Sequence, residues 1–156
     1  MFIVKQILDE KGYDVWAVPP DATIYEALEL MAEKNIGAVL VMEDDDLVGI
    51  FSERDYARRV ILLGKASQET PVRDGMTEEV ICVRPDQSVE GCMGLMTEKR
   101  IRHLPVLEGE EVVGVISIGD VVKSVISQQA NTIEHLESYI TTGHPTVSKS
   151  EQKRSA

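Results

Sequence analysis

The chain repeats itself. Shifted by 65 residues, Val15–Val60 lies over Val80–Val125 without a gap, and 16 of the 46 aligned pairs are identical. The identities include Val18/Val83, Pro20/Pro85, Leu30/Leu95, Gly49/Gly114, Ser52/Ser117 and Asp55/Asp120, and others exchange like for like, as Ile24 does with Val89. A gapless duplication implies two copies of one supersecondary unit, related by a pseudo-twofold axis. A ligand is expected near that axis, in up to two similar pockets.

Hydrophobic periodicity gives each copy the order β-α-β-β-α. In the first, Val15–Val18 is a strand closed by Pro19 and Pro20, and Thr23 with Glu26 has capping-box spacing before the helical face Ile24, Ala27, Leu28, Met31. Ala38–Met42 and Leu47–Phe51 form a hairpin about an acidic turn, and a helix follows Ser52. The second copy places a strand at Val80–Val83, a helix from Ser88 to Arg100, a hairpin of Leu104–Leu107 with Val112–Ile116, and a helix from Ile118. Gly91 and Gly94 interrupt a helix, where each is about 1 kcal/mol less favourable than alanine. No sequence feature accounts for them beyond close packing across the pseudo-axis.

The expected organisation is an N-terminal helix (1–12), repeat 1 (13–63), a linker and hinge (64–75), repeat 2 (76–130), a C-terminal helix (131–142) and a polar, disordered tail (143–156). Within the linker, Thr70-Pro71 reads as an N-cap followed by proline at the first helical position. The fold class is α+β, with the tandem repeats packed as a pseudo-twofold pair. One repeat buries too little alone, and the same shortage on the outer helix faces predicts a homodimer.

At 156 residues the chain suffices for one modest core. A net charge of −11 argues against nucleic acid and anionic membrane as partners. No apolar run reaches the ~20 residues of a membrane span, and neither a signal-peptide core nor an Arg-rich presequence opens the chain, so the cytoplasm is expected. Cys82 and Cys92 overlie Ala17 and Ala27 and read as buried free thiols. No histidine pair accompanies them, and the run Asp44–Asp46 lacks a calcium loop's oxygen at position five, so no metal is expected.

The repeated polar signature is Gly49-Ile-Phe-Ser52-Glu-Arg-Asp55, echoed by Gly114-Val-Ile-Ser117-Ile-Gly-Asp120. It has two readings. Serine and aspartate can cap a helix reciprocally. The same helix start can receive a phosphate while the carboxylate accepts the vicinal hydroxyls of a ribose. Arg54 adds a cation in repeat 1, whereas Gly119 leaves repeat 2 bare. Lys99-Arg100-Ile101-Arg102-His103 is a basic cluster in an acidic chain, and its counterpart at 34–38 keeps only Lys34. Lys99 and Arg100 suit a helix C-terminus, whereas Arg102 and His103 enter a strand and suit an anion.

With Ile101-Arg102-His103-Leu104-Pro105-Val106 and the two Gly-x-x-Ser-x-x-Asp copies, the chain resembles the pair of cystathionine-β-synthase (CBS) domains called a Bateman module, over about Val4 to Ile140. It is most similar to small stand-alone pair proteins. The resemblance implies a regulatory sensor of adenosine compounds (AMP, ADP, ATP, NADH or S-adenosylmethionine) with no catalysis and no catalytic cofactor. It acts by ligand-dependent conformational change on a regulated protein. Carried over, Asp120 holds ribose, Ser117, Arg102 and His103 approach phosphate, and adenine lies against Trp16 and Ile36. The mirror pocket uses Ser52, Arg54 and Asp55 with Ile81 and Ile101. Gly37 and Ala38 replace the basic pair there, so the Asp120 pocket is expected to be the tighter phosphate site.

Two other classes compete. No serine–histidine–acid order, nucleophile elbow or phosphate-cradling glycine loop supports an enzyme. A structural dimer with unoccupied pockets is compatible with every residue named above.

Overall fold

A computed structural model describes residues 2–129, 145 and 147. The helix expected at 131–142 and most of the tail at 143–156 lie outside the described residues.

Helix α1 (Val4–Lys11) starts where Gln6 Oε1 accepts the Ile3 N–H at 2.8 Å, and it buries Val4, Ile7 and Leu8. Repeat 1 follows as β1 (Ala17–Val18), α2 (Ile24–Lys34), β2 (Ala38–Glu43) and β3 (Asp46–Ser52). After β3 comes α3 (Glu53–Asp55), which widens into π-helical turns over Tyr56–Ile61. Repeat 2 supplies α4 (Val89–Lys99), β4 (His103–Glu108), β5 (Glu111–Ser117) and α5 (Ile118–Gln128). The expected capping box of α2 forms: Thr23 Oγ1 accepts the Glu26 N–H at 3.1 Å, and Glu26 Oε2 accepts the Thr23 N–H at 3.2 Å. Both hairpins are antiparallel with matching registers, Ala38 opposite Ser52 and His103 opposite Ser117. Asp44, in the acidic run, takes φ 55° in the first hairpin's turn.

The duplication breaks at the parallel strand. In repeat 1, β1 pairs with β2 and the Leu40 N–H donates to Trp16 O at 3.0 Å. The residue equivalent to Leu40 is Pro105, which has no N–H to give. The strand expected at Val80–Val83 therefore shrinks to one bridge, Val83 to Val106, and the sheets have three and two strands. Cys82 is left half-buried in this irregular segment, while Cys92 is buried on α4; burial pushes both thiols up.

The segment before each repeat packs into the other repeat. Val4, Ile7 and Leu8 of α1 join Val83, Leu104 and Ile116 in one core cluster. Val72 and Met76, which precede repeat 2, join Ile24, Val39 and Phe51 in the second. Backbone bonds repeat the exchange at an offset of 68: the Val4 N–H donates to Gln87 O at 2.9 Å, and the Val72 N–H to Ala22 O at 2.7 Å. Both leaders end on a strand glycine. A Cβ on Gly114 would stand 2.7 Å from Leu8 Cδ2, and a Cβ on Gly49 would strike Met76 Sδ. The absence of a side chain at these two positions is what admits the crossing leader.

The linker at 64–75 packs on repeat 1: Tyr25 and Ile24 donate their N–H groups to Ser67 O and Thr70 O at 3.0 and 2.9 Å, and Val72 is fully buried. Two further expectations are corrected. Thr70 caps nothing, because the only helix there is the 3₁₀ turn Val72–Asp74, whose N-cap is Pro71. Beyond the helix's own backbone, a Cβ built on Gly94 meets nothing within 4 Å and one on Gly91 meets only Ser88 Oγ at 2.9 Å, so neither glycine reflects packing across the axis.

Candidate functional site

Asp120 is positioned by the junction of β5 and α5. Ser117 Oγ accepts the Asp120 N–H at 3.2 Å, and Asp120 Oδ2 accepts the Ser117 N–H at 2.8 Å. The capping reading is thus realised, but it is not the whole of the site. Oδ2 also accepts Lys11 Nζ at 2.7 Å, and the same ammonium donates to Val115 O at 2.9 Å. Burial pushes the Asp120 carboxyl up, yet the Lys11 and Ser117 hydrogen bonds together outweigh it and hold the group below its usual range. None of these bonds uses Oδ1.

His103 begins β4 and faces the other repeat. Its Cε1 and Nε2 lie 3.3 Å from where a Cβ on Gly37 would stand, so the bare backbone at 37 makes room for the imidazole. Burial is the largest influence and lowers its pKa; Glu53 and Asp120 oppose that shift, while Lys11 and Arg102 add to it. The ring is therefore mostly neutral at pH 7. Arg102 is exposed, and its guanidinium has no hydrogen bond or ion pair among the described residues. The carbonyls of Gly37 and Arg102 accept the first N–H of α3 and of α5, from Glu53 at 3.1 Å and Ile118 at 2.9 Å. Each strand start is thereby tied to the helix start beside it.

The pseudo-equivalent site is closed more tightly. Asp55 Oδ2 accepts Ser52 N and Oγ at 3.0 Å each, Oδ1 accepts Thr77 Oγ1 at 3.0 Å, and Arg59 Nε stands 3.9 Å away. Arg54 leaves this cluster: its Nη1 donates to Arg100 O at 2.7 Å, clamping repeat 1 onto the end of α4, where Arg100 takes φ 55°.

Trp16 is half-buried with the Lys34 ammonium 4.2 Å from its ring centroid. Ile36, Gly37 and Glu53 line a shallow depression of about 290 Å³ with Met31 and Asn35. Ile81 and Ile101 are half-buried against the repeat 2 core. A second depression of about 450 Å³ lies on the flank between Tyr25, Tyr56 and residues 66–69. Neither depression is lined by Asp120 or Asp55. The geometry joins Ser117, Asp120, Arg102 and His103 to Gly37 and Glu53, whereas Arg54 turns to Arg100 O. Among the described residues, no three His, Cys, Asp or Glu side chains converge to hold a metal.

Lys11, Thr77 and Glu53 went unremarked in the sequence. Lys11 and Thr77 belong to the crossing leaders, where the 65-residue alignment does not apply. The 68-residue offset of the leaders would not have exposed them, since it sets Lys11 over Glu79 and Asp9 over Thr77.

Comparison with known proteins decides the family. Residues 4–62 and 72–127 match the CBS domain. The chain belongs to the CBS domain family. The mitochondrial CBS domain-containing protein CBSX3 of Arabidopsis thaliana is 41% identical over 151 residues, covering 90% of this chain and 73% of that one. A protein with CBS domains from Burkholderia ambifaria, of solved structure, is 51% identical with TM-score 0.80, over 82% of this chain and 96% of that one. A CBS domain pair solved in complex with 5′-methylthioadenosine and S-adenosylmethionine shares the fold at 24% identity and TM-score 0.71, over 83% of this chain and 99% of that one. No helix among the described residues is long and apolar enough to cross a membrane.

Proposed function

We propose that this CBS pair is a non-catalytic regulatory sensor, acting in the cytoplasm, that binds AMP or another adenosine nucleotide at the seam around Asp120. The observation that carries the reading is the company Asp120 keeps. A carboxylate with Oδ1 outside its capping bonds sits at the start of an 11-residue helix, near a neutral imidazole and an unpartnered guanidinium. Capping alone calls for none of these neighbours. Asp120 would hold the ribose diol, Arg102, His103 and Ser117 the phosphate, and Trp16 with Ile36 the adenine. Ser52 and Asp55, with Ile81 and Ile101, would form a weaker site, since Thr77 and Ser52 already fill both Asp55 oxygens. The relative solved with adenosine compounds has the same fold, and the adenosine class is carried over from it.

A ligand can signal only by favouring one arrangement of the two repeats over another. Bridging Asp120 in repeat 2 and Trp16 in repeat 1 would do so and alter a surface read by a partner protein. A homodimer is supported by Ile61, Leu62 and Leu63, which are 54%, 77% and 64% exposed.

The second reading is a structural dimer with unused pockets, favoured by the engaged state of both carboxylates. Thermal melting with millimolar AMP, ATP, NADH and S-adenosylmethionine separates the two. A ligand at 100 times its Kd adds about 2.7 kcal/mol, which raises the Tm of a chain this size by roughly 5–10 °C. Asp120→Ala should remove that shift for ribonucleotides more than for 2′,3′-dideoxy analogues. A Tm unmoved by the whole panel favours the structural dimer.

A further inference from the structure

Helix α1 delivers a cation to repeat 2. Leu8, wedged against Gly114, fixes the helix over β5, and Lys11, one turn on, is the last residue before Gly12 closes the helix on Leu8 O at 2.8 Å. Its ammonium has three N–H donors, of which two are used, on Asp120 Oδ2 and Val115 O. At the other site Asp55 Oδ1 accepts the uncharged hydroxyl of Thr77 at 3.0 Å, and the nearest cation, Arg59 Nε, stands 3.9 Å off. A short charge-assisted hydrogen bond therefore closes Asp120, while the cation beside Asp55 stays beyond hydrogen-bond distance.

This difference has a chemical consequence, given the reading of Asp120 as a ribose site. A diol bound through both carboxylate oxygens needs Oδ2, which Lys11 and Ser117 already occupy at 2.7 and 2.8 Å. The ammonium must swing aside, and its third proton and flexible stem allow that. What it meets next depends on the ligand. An uncharged nucleoside offers it only solvent. A 5′-phosphate, carried on the same sugar, offers it an anion within reach, where Arg102 supplies a second cation and His103 a neutral donor.

We propose that Lys11 is the specificity-determining residue of this site: it guards Asp120 against uncharged nucleosides and transfers to the phosphate of a nucleotide. The seam thus selects for a phosphorylated adenosine through one side chain that lies outside the duplicated motif. Glu53, the other carboxylate facing His103, disfavours an anion at the seam, so a phosphate is held there only where Lys11 and Arg102 neutralise it.

The test is calorimetric titration of adenosine and AMP into the wild type, Lys11→Met and Lys11→Arg. Methionine keeps the apolar stem and removes the charge. Opening a partly exposed ion pair costs a factor of roughly 2–5, so adenosine should bind Lys11→Met tighter by that amount. AMP should bind it about tenfold weaker, for loss of one charge-assisted bond. The AMP-to-adenosine preference then falls by roughly 20- to 50-fold, and arginine restores most of it. Equal changes for both ligands, a preference unchanged within twofold, or an arginine variant matching methionine overturns the proposal while leaving the nucleotide site standing. Binding of neither ligand to any of the three proteins removes the nucleotide site as well.

Discussion

The exchange of leaders is most directly tested at Gly114. An alanine methyl there would lie 2.7 Å from Leu8 Cδ2 and 3.1 Å from Cδ1, both inside normal contact, and Leu8 is fully buried. Overpacking of this kind costs about 1–3 kcal/mol, partly offset by the roughly 0.5–1 kcal/mol that alanine gains over glycine in a strand. Leu8→Ala alone should cost about 2–5 kcal/mol through lost burial and the cavity left behind. In the double variant the new methyl enters space the leucine has vacated. The combined loss should therefore fall short of the sum by about 1–3 kcal/mol. Urea unfolding of the four proteins at one fixed concentration measures the cycle, and each kcal/mol also shifts Tm by about 2–4 °C. Gly94→Ala is the control: nothing lies within 4 Å of its Cβ, so it should stabilise by up to about 1 kcal/mol. Additivity of Gly114→Ala and Leu8→Ala within about 0.5 kcal/mol would refute the crossing of α1 into repeat 2.

Two further outcomes are expected. Burial lowers the His103 pKa despite Glu53 and Asp120, so the unfolded chain binds more protons just below pH 6.5. Stability should be full above that pH and decline as the pH falls towards the folded-state value. His103→Gln should flatten the urea midpoint over this window, and a slope unaltered by the substitution contradicts the buried, neutral imidazole. Leu62→Glu places a charge on a side chain already 77% exposed in the monomer, so it should leave the fold intact and shift sedimentation towards monomer if Ile61–Leu63 form the dimer face. An unchanged sedimentation coefficient excludes that face.

Much of the fold could be read from the residues because it is decided locally. Period-2 runs bounded by turn residues specify the two hairpins, and Thr23 with Glu26 specifies a helix start whatever packs against it. Ser117 and Asp120 were equally legible, since a three-residue spacing at a strand–helix junction brings serine and carboxylate together through backbone geometry alone. The loss of the strand at Val80–Val83 was in principle legible too, in Pro105, but only once the bond from Leu40 N–H to Trp16 O in repeat 1 was known.

Short-range spacing repeated in register is enough to specify two like units and the place of the serine–aspartate pair in each. The tertiary structure decided which groups face those pairs: Lys11 and Val115 O at one, Thr77 and Arg59 at the other. Lys11 and Thr77 arrive on leaders that cross between repeats, 109 residues away in the chain for Lys11 and Asp120, whereas Val115 and Arg59 are supplied by β5 and by the helix of Asp55 itself. Contacts at that range are set by the burial of Leu8 and Met76 against bare glycines, and a linear pattern carries no trace of which glycine receives which side chain.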